Sequence, residues 1–125
     1  MITFEDFKKV EITVGKILSA EKIPDTDKLL KLSVDFGNTI SSDSGTSVLT
    51  GAEVRDIRQI VSGISAYFPD PAVLVGKQCM FVTNLEPRKI RGFDSNGMLF
   101  AVSTPDGKFS LLEPSGDIPP GTKAK

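Results

Sequence analysis

The sequence contains no histidine, and that absence removes more chemistry than any other feature of the composition. Without imidazole there is no Ser-His-Asp or Cys-His arrangement and no usual general base. No His-containing zinc site is possible either, because a single cysteine cannot make up the ligand count. The lone Cys79 also excludes an intrachain disulfide, which makes a reducing compartment the simpler assumption, and its apolar neighbours predict a buried, inert thiol. No apolar stretch approaches the roughly 18 residues that a membrane helix needs. The start Met1-Ile2-Thr3-Phe4-Glu5-Asp6 lacks the basic flank and apolar core of an export signal, so a cytoplasmic protein is expected. Gly76-Lys77 is followed by Gln78 and is not a Walker loop, and no Gly-x-Gly-x-x-Gly fingerprint is present. Catalysis is therefore the weaker class, and no cofactor, metal or membrane partner is expected.

Excess charge of one sign is missing as well. Fifteen Lys and Arg against sixteen Asp and Glu leave a net charge of −1 and a pI near 5.4, which argues against a generic nucleic-acid sponge. A polyanion would have to be met locally, with the acidic remainder sharpening its orientation. The sequence supplies one such place, Asn84-Leu85-Glu86-Pro87-Arg88-Lys89-Ile90-Arg91-Gly92-Phe93-Asp94-Ser95. Three cations in four positions, bounded by Pro87 and Gly92, predict a presented basic loop between two strands, rather than a helix face or a strand. Ile90 within the run would anchor the loop and hold its neighbours in place, so that less entropy is lost on meeting phosphate.

The rest of the 125 residues reads as one all-β domain. Thr3 and Asp6 resemble a capping pair for a short helix over 3–9. Val10, Ile12 and Val14 alternate with Glu11 and Thr13 in a first strand running to Ala20, with a bulge or sharp bend expected at Gly15. After the turn Pro24-Asp25-Thr26-Asp27, Leu30, Leu32, Val34 and Phe36 alternate with Lys31, Ser33 and Asp35 in a second. Asp25 and Asp27 read as turn chemistry in preference to a divalent-ion pair. The stretch 38–54, rich in Ser, Thr and Gly, reads as a mobile insertion. Further strands are expected over 59–64, 78–83, 98–103 and 109–112. A short helix between the third and fourth begins at Asp70-Pro71, and the tail 114–125 is rich in Pro and Gly. Phe93 and Tyr67 are the candidates for a ring that stacks on a base. Five or six strands with one short helix suggest a five-stranded barrel of the OB type, with N- and C-terminal extensions.

Several separated motifs stand in a recognisable order: Asp6-Phe7-Lys8-Lys9-Val10, Val14-Gly15-Lys16-Ile17, Pro24 to Leu29, Arg58 to Ile64, Asn84 to Gly92, and Ser95-Asn96-Gly97-Met98-Leu99. Together they resemble the tRNA-binding OB domain found at the C-terminus of methionyl-tRNA synthetases, as a free-standing dimeric tRNA-binding protein, and in the endothelial monocyte-activating polypeptide group. The resemblance covers nearly the whole chain. It implies a homodimer that binds tRNA by structure rather than by sequence, without catalysis, with a methionyl-tRNA synthetase as a possible partner. It assigns tRNA contacts to Arg88, Lys89, Arg91, Ser95 and Met98, with Asn84 shaping the loop. The insertion at 38–54 and the lack of a synthetase body depart from the pattern, and the start at Met1 favours the free-standing form. An export-related chaperone of the same fold, which binds unfolded polypeptide, is the alternative.

Overall fold

Thr3 starts the first element as its sequence suggests: its hydroxyl accepts the Asp6 N–H at 3.1 Å and caps a one-turn helix, α1 (Phe4–Phe7). A computed structural model describes residues 1–38 and 55–125. The expected mobile insertion lies outside the described residues except for Asn38. The strands are β1 (Ile12–Lys22), β2 (Leu30–Asn38), β3 (Arg55–Ser62), β4 (Gln78–Val82), β5 (Arg88–Ile90), β6 (Phe93–Ser95), β7 (Met98–Leu99), β8 (Ala101–Ser103) and β9 (Phe109–Leu111). A curled antiparallel sheet runs β3-β2-β1-β4-β7, and β5–β6 and β8–β9 form two hairpins. The fold is nearly all-β, as expected, and the curl is that of an OB-like barrel. Between β3 and β4 the expected short helix is a pair of 3-10 turns, Ser65–Tyr67 and Pro71–Leu74. The second is capped by Asp70, whose carboxylate accepts the Ala72 N–H.

Strand β1 makes the curl by changing partners. Residues 12–16 pair with β4 and residues 16–22 with β2, so Lys16 faces both Gln78 and Asp35. Gly15 stands at that crossing, but the register shift falls later, between Ile17 and Ser19. Glycine is needed at 15 for space: a Cβ there would stand 2.6 Å from both Phe36 Cε1 and Val34 Cγ1. Removing that side chain lets β1 and β2 close over the core. Leu30, Leu32, Val34 and Ile60 meet Ile17, Leu74, Cys79 and Phe81 there, all fully buried. Each such side chain contributes about 1.5–3 kcal/mol. Phe36 and Phe81 pack edge to face at 5.2 Å. Burial, with Glu113 adding to it, pushes the Cys79 thiol up to about 11, which makes it the inert group its neighbours predicted.

One expectation is corrected along the C-terminal half. The single strand expected over 98–103 breaks at Phe100, whose N–H donates to Met80 C=O and whose C=O accepts the Leu112 N–H. The segment thereby leaves β4, its partner through β7, and pairs with β9 through β8. The Pro/Gly-rich tail is an added strand edge: Val14 N–H donates to Thr122 C=O, Gly121 N–H to Val14 C=O and Ala124 N–H to Ile12 C=O, each at 2.8–2.9 Å. It covers the part of β1 that β2 leaves unpaired. The crossing with the end of β2 is close enough to require glycine on both chains. Gly37 and Gly121 have φ of 83° and 94°, and a Cβ on either would lie 2.2–2.4 Å from the carbonyl oxygen of Pro120 or Phe36.

Candidate nucleic-acid interface

The basic run is not the irregular loop that its Pro and Gly suggested. Arg88, Lys89 and Ile90 form strand β5 opposite Ser95, Asp94 and Phe93, and only Arg91 and Gly92 turn the chain. Both turn residues have positive φ, 52° and 84°, the pattern of a two-residue hairpin turn whose twist matches its strands. Arginine at the first of these positions costs roughly 1–2 kcal/mol that glycine would not. The cation at the tip is therefore held there against a local preference.

Side-chain alternation then distributes the charges. Arg88 and Ile90 share a face of the ribbon with Phe93 and Ser95, Lys89 and Asp94 share the other, and Arg91 sits at the tip. All three cations are exposed, as expected, but they do not point one way. Lys89 approaches Asp94 only to 3.9 Å, with both side chains about two-thirds exposed, and such a pair is worth little. Arg88 and Arg91 make no ion pair among the described residues.

What holds the ribbon is Ser95 from the predicted set and two residues outside it, Gln59 and Arg58. Ser95 is buried; its hydroxyl accepts the Val61 N–H at 3.0 Å and donates to Gly97 C=O at 3.2 Å, fastening β6 to the free edge of β3. Gln59 adds a bond from Nε2 to Asp94 C=O, and its own C=O accepts the Asn96 N–H. Phe93 is half-buried beneath the Lys31 ammonium, 5.3 Å from the ring centre. Arg58 closes the root. Its Nη1 donates to Thr83 C=O at 2.6 Å and Asn96 C=O at 3.2 Å, the two points where the hairpin segment leaves and rejoins the barrel. Its guanidinium is forked onto Asp56 and lies over Phe36. Nothing in the local sequence marks Arg58 for this, because its partners are 25 and 38 residues away.

Asn84 shapes a different connection from the one expected. Its Oδ1 accepts the Glu11 N–H at 2.8 Å and its Nδ2 donates to Lys9 C=O at 2.6 Å, stapling the segment after α1 to the end of β4. Beside it, the buried hydroxyls of Thr13 and Thr83 are 2.7 Å apart. The Thr83 hydroxyl and the Lys123 ammonium hold the Glu11 carboxyl below its usual range. Met98 is exposed on the edge strand β7. Tyr67 lies flat on Phe109 with centroids 4.0 Å apart, so one of its faces is already taken. No group of three or more metal-ligating side chains is found among the described residues, and no helix there is long and apolar enough to cross a membrane.

The family model described as "Putative tRNA binding domain" matches residues 12–123. A methionine--tRNA ligase of Methanoregula boonei is 46% identical over 125 residues, which is all of this chain and 16% of that protein. The chain thus spans about 16% of the length of the curated relatives it matches. Among solved structures, a MetRS related protein from Pyrococcus horikoshii superposes with a TM-score of 0.79 at 36% identity, covering 100% of this chain and 98% of that one. The chaperone CsaA of Bacillus anthracis gives 0.78 at 26%, covering 100% and 99%.

Proposed function

Since the chain belongs to the tRNA-binding domain family, we propose that it is a non-catalytic, cytoplasmic module that binds folded tRNA by shape, with the β5–β6 ribbon as its principal contact. The observation that carries this reading is the ribbon itself: Arg88, Lys89 and Arg91 exposed on both faces and the tip of a hairpin fastened by Ser95, Gln59 and Arg58. A ribbon with cations on both faces suits a recess walled by phosphate on two sides, as at a corner of a folded RNA, better than a flat anionic surface. Met98 at the adjoining edge offers a thioether to a base, while Ser95 and Asn84 act as positioning residues. Free-standing, such a module would shelter or hand over tRNA. Joined to a methionyl-tRNA synthetase it would raise that enzyme's tRNA affinity through local concentration.

The working unit in this reading is a homodimer. Helix α1 buries none of its own residues; Phe4 and Phe7 are 70% and 43% exposed, and Ile2 and Val10 lie open beside them. They do not plug their own barrel. The Asn84 staple holds this apolar segment in a fixed place, as a twofold mate would require. Light scattering at micromolar concentration is expected to give twice the 13.5 kDa chain mass; a value near the chain mass itself would rule the dimer out.

Electrophoretic mobility shifts with folded tRNA, unfolded RNA and duplex DNA across a salt series test the ligand. Folded tRNA is expected to bind best, with a log–log salt slope of about −2 to −3 per site for three neutralised phosphates. A polypeptide-binding chaperone is the second reading, favoured by the CsaA likeness and by the exposed apolar residues of the N-terminal segment. It predicts binding of unfolded protein that salt barely changes, and that result, with no tRNA shift, would replace the first reading.

A further inference from the structure

The turn between β1 and β2 and the tip of the β5–β6 ribbon face each other across a surface cleft lined by Asp25, Thr26, Asp27, Lys28, Leu29 and Arg91. The turn is fixed from within. Asp25 takes a left-handed φ of 64°, and Thr26 gives both its N–H and its hydroxyl to Ile23 C=O. Ile23 N–H donates to Leu29 C=O and Ser65 N–H to Lys28 C=O, which pins the two ends. The charged groups are left over from this arrangement. Among the described residues, the side chains of Asp25, Asp27, Lys28 and Arg91 make no hydrogen bond or ion pair, with each other or with anything else.

Two carboxylates beside the tip of an RNA-binding ribbon repel phosphate, and turn geometry alone does not require both side chains to stand unpartnered. Together with Lys28 on the same turn and Arg91 across the cleft, they match a ligand that carries both an anionic group and hydrogen-bond donors. We propose that this cleft takes one nucleotide of the bound RNA. Arg91 and Lys28 meet its phosphate, the half-buried Leu29 lies under its base, and Asp25 and Asp27 accept hydrogen bonds from an exocyclic amino group. Carboxylates accept from the cytosine amine in this way, and adenine and guanine also carry an exocyclic amine whose two N–H can meet both carboxylates, whereas uracil carries no exocyclic amine and offers only its single ring N3–H. The cleft therefore selects against uracil at one position within binding that is otherwise read by shape. This rests on the RNA-binding reading above and adds a specificity-determining pair to it.

The test is fluorescence anisotropy of the full chain with oligo(C), oligo(A) and oligo(U) of equal length and with folded tRNA, for the wild type and the Asp25→Asn/Asp27→Asn variant. Asparagine tolerates the left-handed turn, and circular dichroism checks that the fold is kept. The wild type is expected to prefer oligo(C) and oligo(A) over oligo(U) by on the order of tenfold. The variant, whose amides can also donate to uracil, is expected to lose that preference. A uniform tightening on all three oligonucleotides would show that the carboxylates act only by repulsion, and would overturn the inference. So would an unchanged preference, or no preference in the wild type. If the wild type binds tRNA without any base preference, this inference fails and the RNA-binding reading stands; if it binds no tRNA at all, both fail.

Discussion

Replacing Arg88, Lys89 and Arg91 together with alanine is expected to lower tRNA affinity by on the order of 100-fold while leaving the melting temperature within a few degrees of the wild type. The estimate takes about 1 kcal/mol for each lost charge-assisted phosphate contact, at 1.4 kcal/mol per tenfold in affinity. Stability should hold because none of the three side chains supports the barrel: all are exposed, and among the described residues their only ion pair is the 3.9 Å approach of Lys89 to Asp94. Removing a non-glycine residue's charge at the tip leaves its backbone demand in place, so alanine at 91 keeps the turn at a cost similar to that of arginine. The salt slope should flatten in parallel, by about 0.7 to 0.9 for each phosphate no longer neutralised. Unchanged affinity would remove the ribbon from the binding surface, and a collapse in melting temperature would make it a structural element.

Gly121→Ala is expected to cost about 2–4 kcal/mol and to lower the melting temperature by roughly 10 °C. The added methyl meets a backbone carbonyl, that of Phe36 at 2.4 Å, and the residue must also hold a φ of 94°. Neither partner can rotate away as a side-chain end could. Relief comes by lifting the tail off β1, which breaks the ladder of Thr122, Gly121 and Ala124 against Val14 and Ile12. Hydrogen exchange reads this directly: the Val14 and Ala124 amides should lose protection in the variant while the β2–β3 amides keep theirs. Retained protection at Val14 would show that the tail stays in place and that the crossing is looser than its geometry indicates.

The strands that alternate were legible in the sequence because period-two burial follows from the pleat. Leu30, Leu32, Val34 and Phe36 go inward in β2 as their spacing requires. Gly15 was legible as a special position but not for its reason, since a glycine that makes room for Phe36 and Val34 looks the same along the chain as one that makes a bulge. The ribbon was read as a loop because its turn residues are Arg-Gly, where Asn-Gly is the ordinary signal, and because its pairing is only three residues long. Of the residues assigned to the site, Arg88, Lys89, Arg91, Met98 and Asn84 lie on the surface, but Asn84 is bonded to Lys9 and Glu11, and Ser95 turned inward to β3. Those last contacts, like the clasp made by Arg58, join positions tens of residues apart, and no local propensity encodes them. The tail was opaque for the same cause: Pro119 to Lys123 has no strand pattern of its own and pairs only because β1 presents a free edge.

Ala124 bonding to Ile12, Lys123 to Glu11, and Asn84 to both Lys9 and Glu11 bring the two ends of the domain together at the root of the hairpin. The fold is in effect a ring with one point of attachment. A polypeptide fused upstream of residue 12 or downstream of residue 124 is tethered at nearly the same spot, so the same geometry of delivery is available to an N-terminal or a C-terminal fusion. Circular permutation should be permissive too, with a short linker between the segments around residues 12 and 124 and new termini opened at the exposed turn 105–107. In engineering terms the domain is a cassette whose orientation relative to a carrier is set by one joint.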